Sequence, residues 1–154
     1  MTKKIISLTL LIIWMACIFA FSAQPAEASS ALSDKVKAVV MQIVERIFPS
    51  ALDATQSADG SGLLVTLIRK SAHFLAYLML GVLAFWTFSS WGIQKRYTLS
   101  FVLCILYAVS DEIHQIFVPG RAGRIFDIFI DSMGAALGLV IIFLFKKWKK
   151  CLTK

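Results

Sequence analysis

The sequence is poor in charged residues, prolines and cysteines. Charged residues make up 16% of the 154, whereas a soluble globular domain carries about 25%. Hydrophobic residues make up 58%, and a chain this short cannot bury so much apolar surface in one small core. The composition therefore excludes a soluble monomer and a disordered protein, and it indicates an integral membrane protein.

The sequence also lacks the short motifs that identify common catalytic, nucleotide-binding and metal-binding sites. Its three cysteines show no CxxC or other paired spacing. Two of them lie in apolar stretches and the third lies in a basic tail. There is no serine elbow, nucleotide-binding loop or zinc motif, and no internal repeat of the kind that builds transporters. We therefore predict no cofactor.

Four charge-poor apolar stretches are long enough to cross the hydrocarbon, which takes about 20 residues. The predicted spans cover about 5–23, 71–88, 97–118 and 125–145, and residues 63–68 are a candidate outward extension of the second. The first stretch resembles a secretory signal, but its apolar run is long for a signal and three more spans follow. We expect an uncleaved first helix and a single membrane domain, an all-α four-helix transmembrane bundle, over residues 1–154.

Basic residues are distributed unequally between the two sides of these spans. With the N-terminus inside, the cytosolic segments 1–4, 89–96 and 146–154 hold nine basic residues and no acidic one. The remaining segments hold seven basic and all nine acidic residues. The positive-inside rule then predicts a multi-pass plasma-membrane protein with both termini in the cytoplasm. Because topology accounts for the formal charge of +7, we predict no nucleic-acid partner.

The long outer loop, residues 24–70, contains one helical pattern. Apolar residues recur at helical spacing over residues 34–48, with polar residues on the opposite face. This pattern predicts an amphipathic helix, capped by Ser33 and ended by Pro49, that lies in the outer interface or covers the bundle. Two flanking segments rich in Ser, Ala, Asp and Gly are predicted loops: residues 24–33 and 53–62.

Polar residues gather in the outer part of three spans and in the loop before the fourth. At about 1.5 Å per residue, Tyr77, Asp111 and Asp131 lie at one depth, about 10 Å below the outer boundary. Charges within spans usually face a bundle interior, a cavity or a partner. We therefore predict one outward-facing pocket, with these candidate ligand-binding residues: Arg69, Lys70, His73, Tyr77, Asp111, Glu112, His114, Gln115, Arg121, Arg124, Asp127 and Asp131.

Small residues continue two of these polar stripes deeper into the membrane. Gly81 lies one turn below Tyr77, and Gly134 and Gly138 follow Asp131 at helical spacing. Glycines four residues apart allow membrane helices to approach closely. The pattern predicts a bundle that is closed in its cytosolic half and open near its outer half.

The charges of the predicted pocket have two interpretations. Four basic and four acidic side chains could pair into a neutral structural network, since buried charges are normally paired. Alternatively, the cations bind a phosphate or carboxylate headgroup in bidentate contacts. The candidates for activating water or relaying a proton are His73, Asp111, Glu112 and His114. A metal held by His73, His114, Asp111 and Asp131 matches no standard spacing and competes with nearby cations, so no metal is predicted.

Several motifs resemble the VanZ family. They are Arg-Lys-Ser-Ala-His-Phe at 69–74 with Tyr77 and Gly81, Ser-Asp-Glu-Ile-His-Gln at 110–115, Pro-Gly-Arg at 119–121, Asp127 and Asp131 with the two glycines after them, and the end of the first span, 18–25. The resemblance covers nearly the whole chain except residues 30–62. It implies a small four-span membrane protein, in a family named for a member associated with teicoplanin resistance. Asp131 stands where we expect the family pattern to have Asn.

Three hypotheses of function stay open at this point. The first is a protein that binds or modifies an anionic lipid-linked envelope precursor at the outer leaflet, with a contribution to glycopeptide resistance as one expectation. The second is a membrane-embedded phosphohydrolase or transferase. The third is a structural accessory of an envelope enzyme. A proton-coupled transporter ranks below these, because the polar residues stop halfway through the membrane. The predicted partners are the lipid bilayer and the anionic precursor.

Overall fold

The computed structural model describes residues 1–47 and 58–152, and all regular secondary structure in these two ranges is α-helical. The helices are α1 (Thr2–Ser22), α2 (Ala26–Ile47), α3 (Ala58–Ser90), α4 (Arg96–Gln115) and α5 (Ile125–Leu152). Among them, α1, α3 from Leu64 onward and α5 are long and apolar enough to cross a membrane. The molecule is an all-helical membrane protein.

Helix α3 is the centre of the fold, and it packs most closely against α5. A Cβ on Gly138 would lie 2.5 Å from the carbonyl oxygen of Leu78, and one on Gly134 would overlap the carbonyl oxygen of Phe74. On the facing side, a Cβ on Gly81 would lie 2.8 Å from the carbonyl oxygen of Ala135. The glycine spacing in the sequence therefore predicts this contact correctly, because only glycine lets the two backbones come so close.

Hydrogen bonds to backbone carbonyls attach α1 to α3 and α4. The indole of Trp14 donates to the carbonyl of Ala76 over 2.9 Å, and the hydroxyl of Tyr107 donates to the carbonyl of Met15 over 2.6 Å. Nearer the chain's start, the Thr87 hydroxyl donates to the carbonyl of Ser7 over 3.0 Å. Polar side chains inside an apolar bundle need such partners, so these bonds fix how α1 is rotated against its neighbours.

Helix α2 begins earlier than the sequence predicts. The loop predicted at 24–33 is wrong from Ala26 onward, and Ser33 lies inside the helix instead of capping it. Pro25, with its fixed backbone angle, stands just before the first helical residue, and Ala and Glu are strong helix formers. These preferences outweigh the local Ser and Ala content that indicated a loop. The predicted end at Phe48 and Pro49 lies outside the described residues.

Helix α3 also begins earlier, at Ala58, so the loop conformation predicted over 53–62 is wrong over 58–62. The outward extension over 63–68 is correct. Residues 58–62 carry Gly and Ser, which indicated a loop, but they continue a long helix. The predicted loop residues 53–57 lie outside the described part of the chain.

Helices α4 and α5 differ from the predicted spans mainly at their ends. Helix α4 stops at Gln115, and the chain turns there through bonds from the amides of Phe117 and Val118 to the carbonyls one turn back. Helix α5 runs on to Leu152, since its lysine-rich end consists of good helix formers. A turn with Gly92 at φ 76° joins α3 to α4.

Candidate functional site

A polar cavity of about 120 Å³ lies at the end of the bundle where α4 leads into α5. We call this the loop end, because residues 116–124 close it. The side chains around the cavity come from α3, α4, α5 and that loop. They are Arg69, Lys70, His73, Gln115, Gly120, Arg121, Ala122, Arg124, Asp127, Ile130 and Asp131.

The ion pairs around the polar cavity are fewer than its charges. Within the two described ranges, only Lys70 with Asp127, at 2.5 Å, and His73 with Asp131, at 3.8 Å, come within 4.0 Å. One interpretation of the sequence paired four cations with four carboxylates. Among the described residues, Lys70 is the one of these four cations that has a carboxylate within 4.0 Å. The remaining three cations are guanidinium groups with no carboxylate at that distance among the described side chains: Arg69, Arg121 and Arg124.

Arg121, in the 116–124 loop, is a partly buried cation. Burial lowers the pKa of its guanidinium, and the nearby positive charge of Arg69 lowers it further. Its Nη2 atom donates a long bond, 3.4 Å, to the carbonyl of Phe21 on α1, while its Nε has no partner in the described structure. The cavity therefore holds two neighbouring positive charges that an anion could neutralise.

Hydrogen bonds and close contacts set the path of the 116–124 loop. The backbone amide of Arg124 donates to Oε2 of the buried Glu112 over 2.6 Å. A Cβ on Gly123 would lie 2.8 Å from the Glu112 carbonyl oxygen, so glycine is needed for this approach. Gly120, at φ 73°, lies against α2, where a Cβ would come 3.0 Å from that of Ala26. These contacts hold Arg121 and Arg124 over the polar cavity.

A largely buried cluster, formed by His73, Asp111 and Asp131, lies where α3, α4 and α5 meet, and two of its members, His73 and Asp131, line the polar cavity. One ligand atom from each of the three side chains lies within 4.8 Å of the others. Asp131 is 0% exposed and Asp111 is 3% exposed. Gln115 donates to Oδ2 of Asp111 over 3.1 Å, whereas Oδ1 of Asp111 and both oxygens of Asp131 have no hydrogen-bond partner among the described residues.

A second, apolar cavity of about 430 Å³ lies between α1, α2 and α3. Its walls are mostly apolar side chains together with a few polar ones: Trp14, Cys17, Ile18, Phe21, Gln24, Ser29, Val36, Ile68, Arg69, Ala72, His73, Ala76 and Arg121. Three of these, Arg69, His73 and Arg121, also line the polar cavity. The two cavities thus adjoin along these three side chains.

A model of the VanZ/LLP1 family matches residues 7–146, which is most of the chain. The chain belongs to the VanZ/LLP1 family. Searches among curated proteins and among solved structures gave no significant match. The family match covers nearly all of the four predicted spans and every residue that lines the polar cavity.

Most of the site residues that the sequence proposes come together in this VanZ/LLP1 protein, and three do not line the polar cavity or join the buried cluster. Tyr77 is fully buried, with its ring centre 6.3 Å from that of Tyr107. Glu112 contacts the loop from below, and His114 packs against Phe19 with ring centres 4.4 Å apart. His114 therefore lies apart from the buried cluster, which it would have to join in order to relay a proton or to bind a metal there.

The apolar cavity is the feature that sequence reasoning missed. Its apolar residues on α1 and α3, such as Ile18 and Ala76, have the helical spacing of ordinary packing residues. Nothing in a periodic pattern distinguishes a residue that lines a cavity from one that contacts lipid or another helix. Only Trp14, a large polar-tipped residue within a span, was a signal, since a buried indole N–H needs a partner.

Proposed function

We propose that this VanZ/LLP1 protein binds an anionic lipid of the envelope, with the headgroup in the polar cavity and the hydrocarbon chain in the apolar cavity. The observation that carries the proposal is the junction of the two cavities at Arg69, His73 and Arg121. A ligand lying across this junction would present an anion to guanidinium groups and a chain to apolar walls. A lipid-linked phosphate has both parts.

The headgroup end of the proposal rests on the unpaired arginines. Arg69, Arg121 and Arg124 line the polar cavity without a carboxylate within 4.0 Å among the described side chains. Planar guanidinium groups bind phosphate and carboxylate oxygens through two parallel bonds. Lys70 contributes less, because Asp127 already engages its ammonium group.

The chain end of the proposal rests on the size and lining of the apolar cavity. Its volume, about 430 Å³, exceeds that of the polar cavity several-fold and fits part of an isoprenoid or acyl chain. The walls include Ile18, Phe21 and Ala76, which offer contact area without hydrogen-bonding groups. Each buried methylene of a ligand chain would contribute about 0.8 kcal/mol.

The proposal places this site at the outer leaflet of the plasma membrane. In this arrangement α4 is a fourth span, both termini are cytoplasmic, and α2 lies as an amphipathic helix at the outer interface. The excess of basic residues in segments 1–4, 89–96 and 146–154 supports the orientation. Val36 and Val39 of α2 are exposed, as expected of side chains that contact lipid headgroups or chains. An envelope precursor at the outer leaflet would also link the protein to teicoplanin-type resistance, the phenotype associated with the member for which the family is named.

The test is a binding series on the purified protein in nanodiscs. We expect a polyprenyl monophosphate to bind more tightly than the uncharged polyprenol and than inorganic phosphate. Arg121→Lys keeps the charge but loses the planar pair of donors, and we expect an affinity loss of about tenfold, equivalent to about 1.4 kcal/mol. Arg96→Lys is the matched control, because Arg96 lies at the other end of α4, about 22 Å from the turn of Asp111, and its substitution should leave affinity unchanged.

Affinity and turnover measured on the same samples distinguish the competing functions. If the native protein releases phosphate from the probe and His73→Gln stops turnover by about 10²–10⁴-fold without changing affinity, the protein is an enzyme. If the probe and the polyprenol bind equally and Arg121→Lys has no effect, the anionic-lipid proposal is wrong. The structural-accessory hypothesis then replaces it.

A further inference from the structure

We propose that His73, Asp111 and Asp131 form a binding site for one divalent transition-metal ion, of the Zn²⁺ or Mn²⁺ class, beside the polar cavity. The three residues lie on three different helices, and one ligand atom of each lies within 4.8 Å of the others. This site goes beyond the proposed lipid binding and does not depend on it.

The separation between His73 and Asp131 is the first argument. Nδ1 of His73 lies 3.8 Å from Oδ2 of Asp131, too far for a hydrogen bond. Two ligand atoms that each lie about 2.1 Å from one ion are roughly 3–4 Å apart, so 3.8 Å fits two ligands of a shared metal. A pair as wide as 4.8 Å would have to close by about 1 Å to reach this range.

The unsatisfied carboxylate oxygens are the second, independent argument. Asp131 is fully buried and neither of its oxygens has a hydrogen-bond partner in the described ranges, and Oδ1 of Asp111 lacks one as well. Leaving an ionised carboxylate buried without a partner costs several kcal/mol. The Gln115 amide occupies the other oxygen of Asp111 and holds that carboxylate in place, in the way that outer hydrogen bonds orient metal ligands.

Charge balance favours a divalent ion over the nearby cations. With His73 in the neutral form that a metal ligand takes, the two carboxylates give the cluster a net charge of −2, which one divalent ion cancels. Lys70 is engaged by Asp127, and Arg121 lies within 4.0 Å of no carboxylate among the described side chains. Imidazole nitrogen selects transition metals over Mg²⁺ and Ca²⁺, whereas two carboxylates suit both Zn²⁺ and Mn²⁺.

An ion at this position would be reachable from the polar cavity. His73 and Asp131 line that cavity, so a path to the site exists without opening the bundle. Three protein ligands leave at least one coordination position for water or for an anion. The sequence argument against a metal rested on spacing and on competition from nearby cations. Spacing along the chain does not limit ligands that three helices bring together, and Asp127 engages one of those cations, Lys70.

The test uses the full-length protein, purified through a tag without histidine, treated with chelator and then titrated with Zn²⁺, Mn²⁺ or Mg²⁺ alone. We expect about one Zn²⁺ or Mn²⁺ per chain by elemental analysis, a raised Tm with either ion, and no such effect of Mg²⁺. Asp131→Asn and His73→Gln should each lower metal affinity at least tenfold. Glu112→Gln is the matched control, because Glu112 is buried beside Asp111 but bonds to the loop, and this variant should bind as the native protein does.

Absence of metal binding at these residues would overturn the proposal. Native protein that binds no Zn²⁺ or Mn²⁺, or that binds them no better than Asp131→Asn, excludes the site. A rise in Tm of metal-free Asp131→Asn over the native protein, together with no metal binding by either, would assign a shared proton to the two carboxylates instead. If the variants do not fold, pulsed electron spin resonance of Mn²⁺ in the native protein decides, since a His73 ligand must produce coupling to imidazole nitrogen and its absence refutes the site.

Discussion

The ammonium group of Lys70 lies 2.5 Å from Oδ1 of Asp127, which joins α3 to α5 at the loop end of the bundle. Both side chains are about one-fifth exposed, at 22% and 19%. This single pair decides how the cavity is charged, because it uses a lysine and leaves the arginines without carboxylate partners among the described residues. The first prediction below follows from this pair.

We expect the Lys70–Asp127 pair to stabilise the bundle. Lys70→Met leaves the Asp127 carboxylate without its partner, and the free energy of unfolding in detergent should fall by about 1–3 kcal/mol. The double variant Lys70→Met with Asp127→Asn should lose less than the sum of the single variants, which a double-mutant cycle measures. Lys147→Met, at an exposed lysine of α5, is the control and should change little. Strictly additive losses would show that the pair contributes nothing.

Hydrogen exchange of the 116–124 loop should depend on Glu112. Removing the acceptor for the Arg124 amide in Glu112→Ala should speed exchange of that amide about tenfold or more, because a bond to a charged group contributes about 1.5–3 kcal/mol. Glu112→Gln retains an acceptor oxygen and should have a smaller effect. Amides in the middle of α1 serve as the internal reference. Equal exchange at Arg124 in all three proteins would mean that Glu112 does not hold the loop.

The contact between α3 and α5 should not tolerate a side chain at Gly134. The added methyl group of Gly134→Ala would overlap the carbonyl of Phe74, and such overpacking typically costs about 1–3 kcal/mol. The Tm of the purified variant measures this loss. Met133→Ala is the control at the neighbouring position, where the side chain is 51% exposed on the outer surface of the bundle. A Tm equal to that of the control would show that the helices can separate without loss.

Filling the apolar cavity should weaken binding of the ligand's hydrocarbon chain and leave binding of its headgroup unchanged. Ala72 lines that cavity, so Ala72→Phe should weaken binding of a long-chain polyprenyl phosphate about tenfold through lost burial of the chain. Binding of a short-chain phosphate ester should change little. Leu75→Phe on the same helix is the control, since Leu75 is 59% exposed on the surface of the bundle. If both probes weaken together, the cavity does not hold the chain.

The orientation in the membrane can be tested with the native Cys151, which is exposed in α5. With a cytoplasmic C-terminus, a membrane-impermeant maleimide should not modify Cys151 in intact cells and should do so after permeabilisation. An introduced cysteine, Ala31→Cys on the exposed side of α2, should react in intact cells. Labelling of Cys151 before permeabilisation would reverse the proposed topology.

Local sequence pattern determined the features that depend on neighbours within one helix. The composition and the long apolar stretches identify a membrane protein, because burying so much apolar surface needs lipid. The spacing of Gly134 and Gly138 predicts a close helix contact, since residues four apart share a face. The ends of α2 and α3 were predicted less well, because Ser, Ala and Gly are compatible with both loop and helix when a longer helix can continue through them.

Tertiary structure alone decided which side chains meet across helices. The sequence places Lys70, Asp127 and the arginines near one depth, but the rotation and crossing of α3 and α5 determine that the lysine takes the carboxylate. The same geometry leaves Asp131 buried without a hydrogen bond among the described residues and turns His114 toward Phe19. The apolar cavity likewise arises only where three helices diverge. Helical periodicity records which face a residue occupies, whereas the partner of that face depends on packing angles between segments dozens of residues apart.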